Sequence, residues 1–206
     1  VVFFFVDGGD NTGISLRSPD LSKNDKSRQG DAGGPILKEN TVAEYYGTIF
    51  SIEESPVKAG VIWVGTDDGN VQVTFDGGTK WNDVTPKEVK AWTRIFNLDA
   101  GHFDSQTAYI AANTFRIDEY APHFFRTHDG GKTWTEINNG ISGGAVSNSI
   151  REDPKVKGLL YAATDTQVWY SFDDGDHWQS LRVDMPAISV RDILVKDDPS
   201  CICADL

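Results

Sequence analysis

Short runs of apolar and β-branched residues, separated by turn-forming residues, recur along the 206-residue chain. The clearest runs are VIWVGT (61–66), TAYIAAN (107–113) and LLYAAT (159–164). Runs of this length, bounded by Gly, Asn or Asp, are typical of β-strands. No stretch of the sequence has a convincing helical period. The pattern therefore predicts an all-β protein.

Each of these runs is one of four strands in a unit. A further strand follows each run: NVQVT (70–74), HFFRT (123–127) and VWYS (168–171). A short last strand comes next: WNDV (81–84), WTEI (134–137) and WQSL (178–181). A first strand precedes each unit: TIFSIEES (48–55), TRIFNLDA (93–100) and SNSIREDP (147–154). The segment SVRDILVKDD (189–198) has the pattern of the first strand of a further unit.

A motif of the form [S/T]-x-D-x-G-x-x-W joins the third and fourth strands of each unit. Its copies are TFDGGTKW (74–81), THDGGKTW (127–134) and SFDDGDHW (171–178). The shared residues are Thr74, Asp76, Gly78 and Trp81; Thr127, Asp129, Gly131 and Trp134; and Ser171, Asp173, Gly175 and Trp178. Segments 51–78 and 149–175 also agree outside the motif. Four-stranded antiparallel units at this spacing predict blades of a β-propeller.

We therefore expect a β-propeller arc of four-stranded antiparallel blades with aspartate-containing hairpins. The expected divisions are 1–15 (end of a preceding blade), 16–47 (connecting segment), 48–84, 93–137 and 146–181 (three blades), and 189–198 (first strand of another blade). The VDGGDN stretch (6–11) resembles a decayed motif. The only methionine is Met185, and we expect the chain to be part of a longer protein.

The motif aspartates have two interpretations. As catalytic carboxylates, Asp76, Asp129 and Asp173 would have to share one scissile bond, with about 5–9.5 Å between a catalytic pair. Because each blade contributes one, they would be spread around the rim. We therefore favour a structural role, in which each Asp and its Ser or Thr hydrogen-bond the turn and the tryptophan packs between sheets.

The three motifs match the Asp-box, also called the bacterial neuraminidase repeat. Over about residues 18–196 the chain also resembles large secreted sortilin-type and glycosyl-hydrolase-like bacterial propellers. The resemblance is carried by segments such as EYYGTIFSIEESP (44–56), WVGTDDGNVQVTFDGG (63–78) and REDPKVKGLLYAAT (151–164). The chain resembles sortilin ectodomains, xyloglucanases, sialidases and a photosystem assembly factor more distantly. The resemblance implies structural Asp-boxes, an active site at the opposite end of the strands, and an extracellular or periplasmic location.

Composition limits the classes of molecule that the chain is expected to bind. The formal net charge is −12, with 31 acidic and 19 basic residues, which argues against nucleic acid and anionic membranes as partners. The six apolar residues VVFFFV (1–6) are too few for a membrane span. No cofactor or metal site is expected, because the four histidines have no metal-binding spacing and Cys201 and Cys203 have no histidine nearby.

Candidate site residues lie in turns and interblade links. The insertion NTFRIDEYAP (113–122) and the link TPKEVKAWTR (85–94) combine aromatic and charged residues, which suits sugars or peptides. The candidate ligand-binding residues are Trp92, Arg94, Phe115, Arg116 and Tyr120. The candidate catalytic residues are Asp67, Asp165 and Glu119. A plain packing role for Trp92 and a surface-loop role for the insertion remain alternatives.

Three functions remain open. The first is a non-catalytic module that binds a glycan or polypeptide, with further blades from a parent protein. The second is part of a glycoside hydrolase, which needs two carboxylates facing one cleft. No arginine triad of the sialidase type is evident, although Arg94, Arg116 and Arg151 could supply one. The third is a purely structural scaffold.

Overall fold

The computed structural model describes residues 3–6, 13–16, 18–30, 33–37, 46–182, 184, 186–196 and 202–205. The strands are β1 (Phe3–Val6), β2 (Gly13–Leu16), β3 (Ile49–Glu54), β4 (Ile62–Thr66), β5 (Val71–Thr74), β6 (Trp81–Asp83), β7 (Arg94–Ala100), β8 (Ala108–Thr114), β9 (Glu119–Thr127), β10 (Thr135–Glu136), β11 (Ser147–Glu152), β12 (Leu160–Thr164), β13 (Val168–Ser171), β14 (Gln179–Ser180), β15 (Asp192–Val195) and β16 (Ile202–Asp205). Two short helices, α1 (Gly34–Leu37) and a 3₁₀ turn (Phe115–Ile117), complete the elements. Neither described helix is long and apolar enough to cross a membrane.

Three four-stranded antiparallel sheets form the body of the structure. Blade 1 is β3–β6, blade 2 is β7–β10 and blade 3 is β11–β14, each with its strands in sequential order. The prediction of an all-β arc of four-stranded blades is confirmed. β1 pairs with β2, and β15 pairs with β16. The decayed motif is expected at 6–11. All of these residues except Val6 lie outside the described part of the chain.

The first strands of successive sheets lie side by side. β3 contacts β7, β7 contacts β11, and β11 contacts β15. Each sheet therefore extends outward from a common inner row of strands, as blades do around a propeller axis.

The hydrophobic core is divided among the spaces between blades. In β8 every residue is buried, which a strand covered on one face would not show. Ile110 belongs to the core cluster shared with Trp63 of blade 1. Tyr109, one position earlier, belongs to the cluster shared with Trp169 of blade 3. Alternating side chains thus face the two neighbouring blades.

A β-bulge in each inner strand links one blade to the next. The pairing register shifts between Ile49 and Ser51, Ile95 and Asn97, and Ser147 and Ser149. Just after the shift, Ser51 Oγ accepts the Leu98 backbone N–H at 3.0 Å. Asn97 Oδ1 accepts the Ile150 N–H at 3.1 Å in the same way. The side chains that follow the first two bulges therefore satisfy backbone donors of the next blade, and after the third bulge the Ser149 hydroxyl donates to Asp192 Oδ1 at 2.6 Å.

Three aspartate turns, residues 74–81, 127–134 and 171–178, share one hydrogen-bond pattern. In the second turn, Asp129 Oδ1 accepts the Thr127 hydroxyl at 2.9 Å and the Thr133 N–H at 2.9 Å. Thr127 Oγ1 accepts the Gly131 N–H at 3.0 Å. The matching distances in the first and third turns are 2.8–2.9 Å. The side chains thus replace water for backbone donors in each turn.

The same turns also contact the preceding blade. The Trp134 indole donates to the Val84 carbonyl at 2.6 Å, and the Trp178 indole donates to the Ile137 carbonyl at 2.6 Å. Val84 and Ile137 each follow the last strand of the preceding blade. Trp81 packs against a cluster formed by Ile62 and Val64 of its own blade and Leu21 of the connecting segment. The second and third turns therefore fasten neighbouring blades as well as their own hairpins.

Substitution of a turn glycine by alanine tests this interblade contact. Gly131 has φ +83°, and a Cβ there would lie 2.5 Å from Val84 Cβ. We expect Gly131→Ala to lower the free energy of unfolding by about 2–5 kcal/mol, from backbone strain plus overpacking. Gly77 has φ +70° but no atom within 4 Å of such a Cβ. The control Gly77→Ala should therefore cost only the strain, about 1–2 kcal/mol. Equal losses in urea unfolding would contradict close packing at Val84.

The carboxyl of Asp129 gives a pH-dependent test of the turn. Hydrogen bonds from the Thr133 side chain and backbone lower its pKa to about 2 from an ordinary 3.8. A lowered folded-state pKa stabilises the fold fully above the ordinary value, and this stabilisation is lost as the pH falls towards about 2. NMR titration should show Thr133→Val raising the pKa of Asp129. The exposed Thr135→Val is the control, and an unchanged Asp129 pKa in Thr133→Val would contradict the assignment.

Candidate functional site

A cleft of about 290 Å³ opens where three successive inner strands begin. The starts of these strands and the residues just before them contribute alternate residues to it: Arg94 and Phe96, Val146 and Asn148, and Ser189 and Arg191. The residue between each pair, respectively Ile95, Ser147 and Val190, is buried. Strand alternation thus directs one set of side chains into the protein and the other into the cleft. Asn113, Phe115, Tyr120 and Asp165 complete the lining.

Arg94 lies between aromatic rings at one side of the cleft. Its guanidinium carbon is 4.6 Å from the centre of the Phe50 ring and 5.5 Å from that of Phe115. Phe50 and Phe96, the residues skipped by two successive bulges, have ring centres 5.2 Å apart. Cation–π contacts of this kind hold a guanidinium in a defined position. The cleft therefore has an aromatic wall with a positioned cation.

The insertion 113–122 is held in place by hydrogen bonds within it and by a buried ion pair to blade 1. Within it, Thr114 Oγ1 donates to the Glu119 carbonyl at 3.1 Å, and Asp118 adopts a left-handed φ of 59°. Arg116 donates to the Asp67 carbonyl at 2.7 Å and to Asp67 Oδ2 at 3.2 Å. Their side chains are 1% and 5% exposed. This buried pair joins the insertion of blade 2 to the β4–β5 turn of blade 1.

Two predicted site residues are therefore engaged with each other. Arg116, expected to contact a ligand, is buried and binds Asp67. Asp67, expected as a candidate catalytic carboxylate, also accepts the backbone N–H groups of Gly47 and Thr48, each at 2.8 Å. Neither lines the cleft. The sequence-based roles for both are corrected to the support of the cleft wall, because each partner uses the other to satisfy a buried charge.

Asp165 lies at the repeat position equivalent to Asp67 and does line the cleft. Its Oδ1 accepts the Val146 N–H at 2.8 Å. Burial raises the pKa of Asp165, and the bond from Val146 acts in the opposite direction. A carboxyl with a raised pKa in a cleft is a candidate proton donor.

Asn113 occupies the same repeat position in blade 2. It pairs with Arg94 at the start of the inner strand, as Asp67 pairs with Thr48 in blade 1 and Asp165 with Val146 in blade 3. It is 3% exposed, and its Oδ1 has no hydrogen-bond partner in the structure. A buried acceptor in this state favours a ligand that can donate a hydrogen bond. Sequence reasoning missed Asn113 as an individual site residue, although alignment with Asp67 and Asp165 would have found it. Asn148 and Arg191 were missed as well, because neither lies in a distinctive motif.

Glu119 and Trp92 lie away from the cleft lining. Glu119 accepts Lys90 Nζ at 2.7 and 3.0 Å, and this bond lowers the pKa of Glu119. A carboxylate held in its charged form suits a tether better than a general acid. The Trp92 ring centre is 4.7 Å from that of Tyr46, and the Arg28 guanidinium lies 5.1 Å above the Trp92 ring. Trp92 thus packs against Tyr46 and Arg28 of the connecting segment.

The three arginines considered for a triad do not converge. Arg151 binds Asp99 at 3.2 Å and Asp192 at 3.3 Å, while Arg116 binds Asp67. Only Arg94 of the three lines the cleft. Within the described residues, no group of three or more His, Cys, Asp or Glu side chains is arranged to hold a metal ion.

A second cavity, of about 350 Å³, lies between blades 2 and 3 near the aspartate turns. Its polar groups bind one another: Tyr109 donates to Asp174 Oδ1 at 2.7 Å, and His128 Nε2 lies 2.7 Å from Asp174 Oδ2. Glu152 accepts the His102 N–H at 2.7 Å. These groups are used in joining blades, so the cleft at the opposite end is the better candidate site.

The fold and the cleft define the chain as an arc of a β-propeller. No protein-family model matches it. It is 31% identical over 134 residues to xyloglucanase Xgh74A of Acetivibrio thermocellus, which covers 65% of this chain and 15% of the relative. The chain spans only 13–15% of the length of the curated xyloglucanases that it matches.

Two solved structures show the same fold. The GH74 enzyme of Niastella koreensis matches with a TM-score of 0.60 and 15% identity, over 77% of this chain and 26% of that one. The structure of YCF48 bound to D1 peptide matches with a TM-score of 0.55 and 20% identity, over 71% and 44% of the respective chains. At these identities the likeness concerns the fold alone.

The two cations that hold the insertion should differ greatly in their effect on stability. Arg116→Met leaves the Asp67 charge buried and should cost about 3–5 kcal/mol of unfolding free energy. Lys90→Met removes a pair whose lysine side chain is 55% exposed, and should cost at most about 1 kcal/mol. Asp67→Asn added to Arg116→Met should recover part of the loss. Equal effects of the two single variants in urea unfolding would contradict the buried anchor.

Proposed function

We propose that the chain is a non-catalytic arc of a larger propeller that binds a glycan at the cleft. The observation that carries the proposal is the lining itself, which combines the rings of Phe96, Phe115 and Tyr120 with the amides of Asn113 and Asn148. Aromatic faces pack on the C–H faces of sugar rings, and amides exchange hydrogen bonds with hydroxyl groups. A polypeptide is the other ligand class that such a lining fits.

The anchored insertion supports a binding role. Phe115 and Tyr120 are 37% and 50% exposed, so both present ring surface to solvent. The adjoining Arg116 is buried on Asp67, and Glu119 is held by Lys90. The rings are therefore presented on a fastened loop, which reduces the entropy lost when a ligand binds.

We further propose that the three aspartate turns are Asp-boxes with a structural role. Asp76, Asp129 and Asp173 each bind their own turn, one turn to a blade. Further blades of a parent protein would complete the ring, since β-propellers typically have about four to eight blades. An extracellular or periplasmic location is proposed from the likeness to GH74 enzymes and to the extracellular domain of BT4673 of Bacteroides thetaiotaomicron.

The alternative is a glycoside hydrolase whose catalytic pair is shared with blades outside this chain. The observation in its favour is Asp165, whose pKa is raised by burial within the cleft. The xyloglucanase relatives point in the same direction. Hydrolysis needs a second carboxyl within about 5–9.5 Å. Asp67 and Glu119, the other two carboxyls considered, are bound to cations away from the cleft. A purely structural scaffold is the remaining possibility.

Removal of one exposed ring tests the binding role. Tyr120→Ala in the full-length polypeptide should weaken binding of glycan oligosaccharides by about tenfold, equivalent to about 1.4 kcal/mol. Phe172, 71% exposed and located in an aspartate turn, provides the control Phe172→Ala. Affinities measured by calorimetry against xyloglucan and oligogalacturonate fragments should fall only for Tyr120→Ala. Equal binding by both variants would contradict the assignment of the cleft.

The hydrolase alternative has its own measurement. The unaltered polypeptide should release no reducing ends from xyloglucan if the module only binds. Release that disappears in Asp165→Asn, with oligosaccharide binding retained, would establish the hydrolase and overturn the non-catalytic proposal.

A further inference from the structure

The sign of charge in the cleft is opposite to that of the chain. The whole sequence carries a formal charge of −12. The cleft lining contains two arginines, Arg94 and Arg191, and a single carboxyl, Asp165. An acidic protein repels anions in general, so a cationic cleft within it concentrates favourable potential at one place. A neutral sugar gains no attraction between net charges from this arrangement.

One arginine begins an inner strand and the other lies just before the next-but-one inner strand. Arg94 begins β7 and is held between the rings of Phe50 and Phe115. Arg191 immediately precedes β15 and is exposed. One positioned guanidinium and one accessible guanidinium therefore border the same space. Guanidinium groups bind carboxylates through paired N–H donors, which gives both strength and direction.

Asn113 adds a requirement that a simple anion does not meet. The residue lines the cleft, and its buried Oδ1 has no hydrogen-bond partner. The repeat-equivalent Asp67 and Asp165 both accept a backbone N–H from the adjoining inner strand. An oxygen that accepts nothing from the protein is best satisfied by a donor on the ligand, such as a hydroxyl group.

We propose that the cleft binds a carboxylate-bearing sugar, a hexuronate unit of an acidic glycan. The carboxylate interacts with Arg94 and Arg191, a ring hydroxyl donates to Asn113 Oδ1, and a sugar face packs on Phe115 or Tyr120. This assignment rests on the proposed glycan-binding function and specifies its substrate class. An acidic peptide also carries carboxylates for the arginines and backbone N–H donors for Asn113 Oδ1, so direct competition between the two ligand classes is part of the test.

A pair of probes that differ only at the carboxyl group tests the assignment. Oligogalacturonate and its methyl ester of the same length are titrated into the full-length polypeptide by calorimetry. The acid should bind at least tenfold more tightly than the ester, and its affinity should fall in 0.5 M NaCl because exposed charges are screened. Equal affinity for acid and ester would overturn the assignment.

Two variants locate the effect in the cleft. Arg191→Gln should weaken binding of the acid about tenfold and leave binding of the ester unchanged. Lys132→Gln removes the same charge from an exposed site in an aspartate turn and should change neither. Asn113→Asp keeps the acceptor oxygen, matches the residue found at positions 67 and 165, and adds a negative charge. It should weaken only the acid, and circular dichroism verifies that each variant is folded.

The outcomes separate this inference from the broader proposal. Binding of xyloglucan fragments alone, unaffected by Arg191→Gln, would leave glycan binding in place and overturn the acidic class. Binding of no oligosaccharide would overturn both. Preference for an acidic peptide over oligogalacturonate in direct competition would also overturn the sugar assignment and favour a polypeptide ligand.

Discussion

The packing of one sheet against the next is the constraint on which the rest of this structure depends. A four-stranded sheet whose middle strand is buried on both faces, as β8 is, has no stable solution without a neighbour on each side. The contacts that enforce this packing recur with the repeat. An indole N–H reaches the carbonyl after the preceding blade's last strand, and a glycine at the turn allows close approach to the same residue.

The cleft is a consequence of the same packing. The bulges in the first two inner strands place a side chain where it accepts an N–H from the next blade, as Ser51 and Asn97 do. The residues skipped by the bulges include Phe96 and Asn148, which line the cleft. The β-bulge, repeated along the arc, thus accounts both for hydrogen bonds between blades and for residues that line the cleft.

Equivalent positions have acquired different roles within this frame. Asp67 is neutralised by Arg116 and supports the insertion, whereas Asp165 faces the cleft with a raised pKa. Asn113, between them in the repeat, keeps an acceptor without a protein partner. The repeat determines where the side chain lies. The neighbouring loop determines whether that side chain is bound by other protein groups or faces the cleft, where a ligand can reach it.

The sequence by itself determined the class of fold, because strand alternation and three copies of one turn motif are local properties that survive any arrangement of neighbours. Four of the residues that it nominated for a site, Arg94, Phe115, Tyr120 and Asp165, also meet in one cleft. Only the tertiary structure decided that Arg116 is buried on Asp67, that Trp92 faces the connecting segment, and that Arg191 and Asn113 join the cleft. These outcomes depend on residues that come together from about 45 to 100 positions apart, and pairing at that range is set by how the blades pack, which no local pattern records.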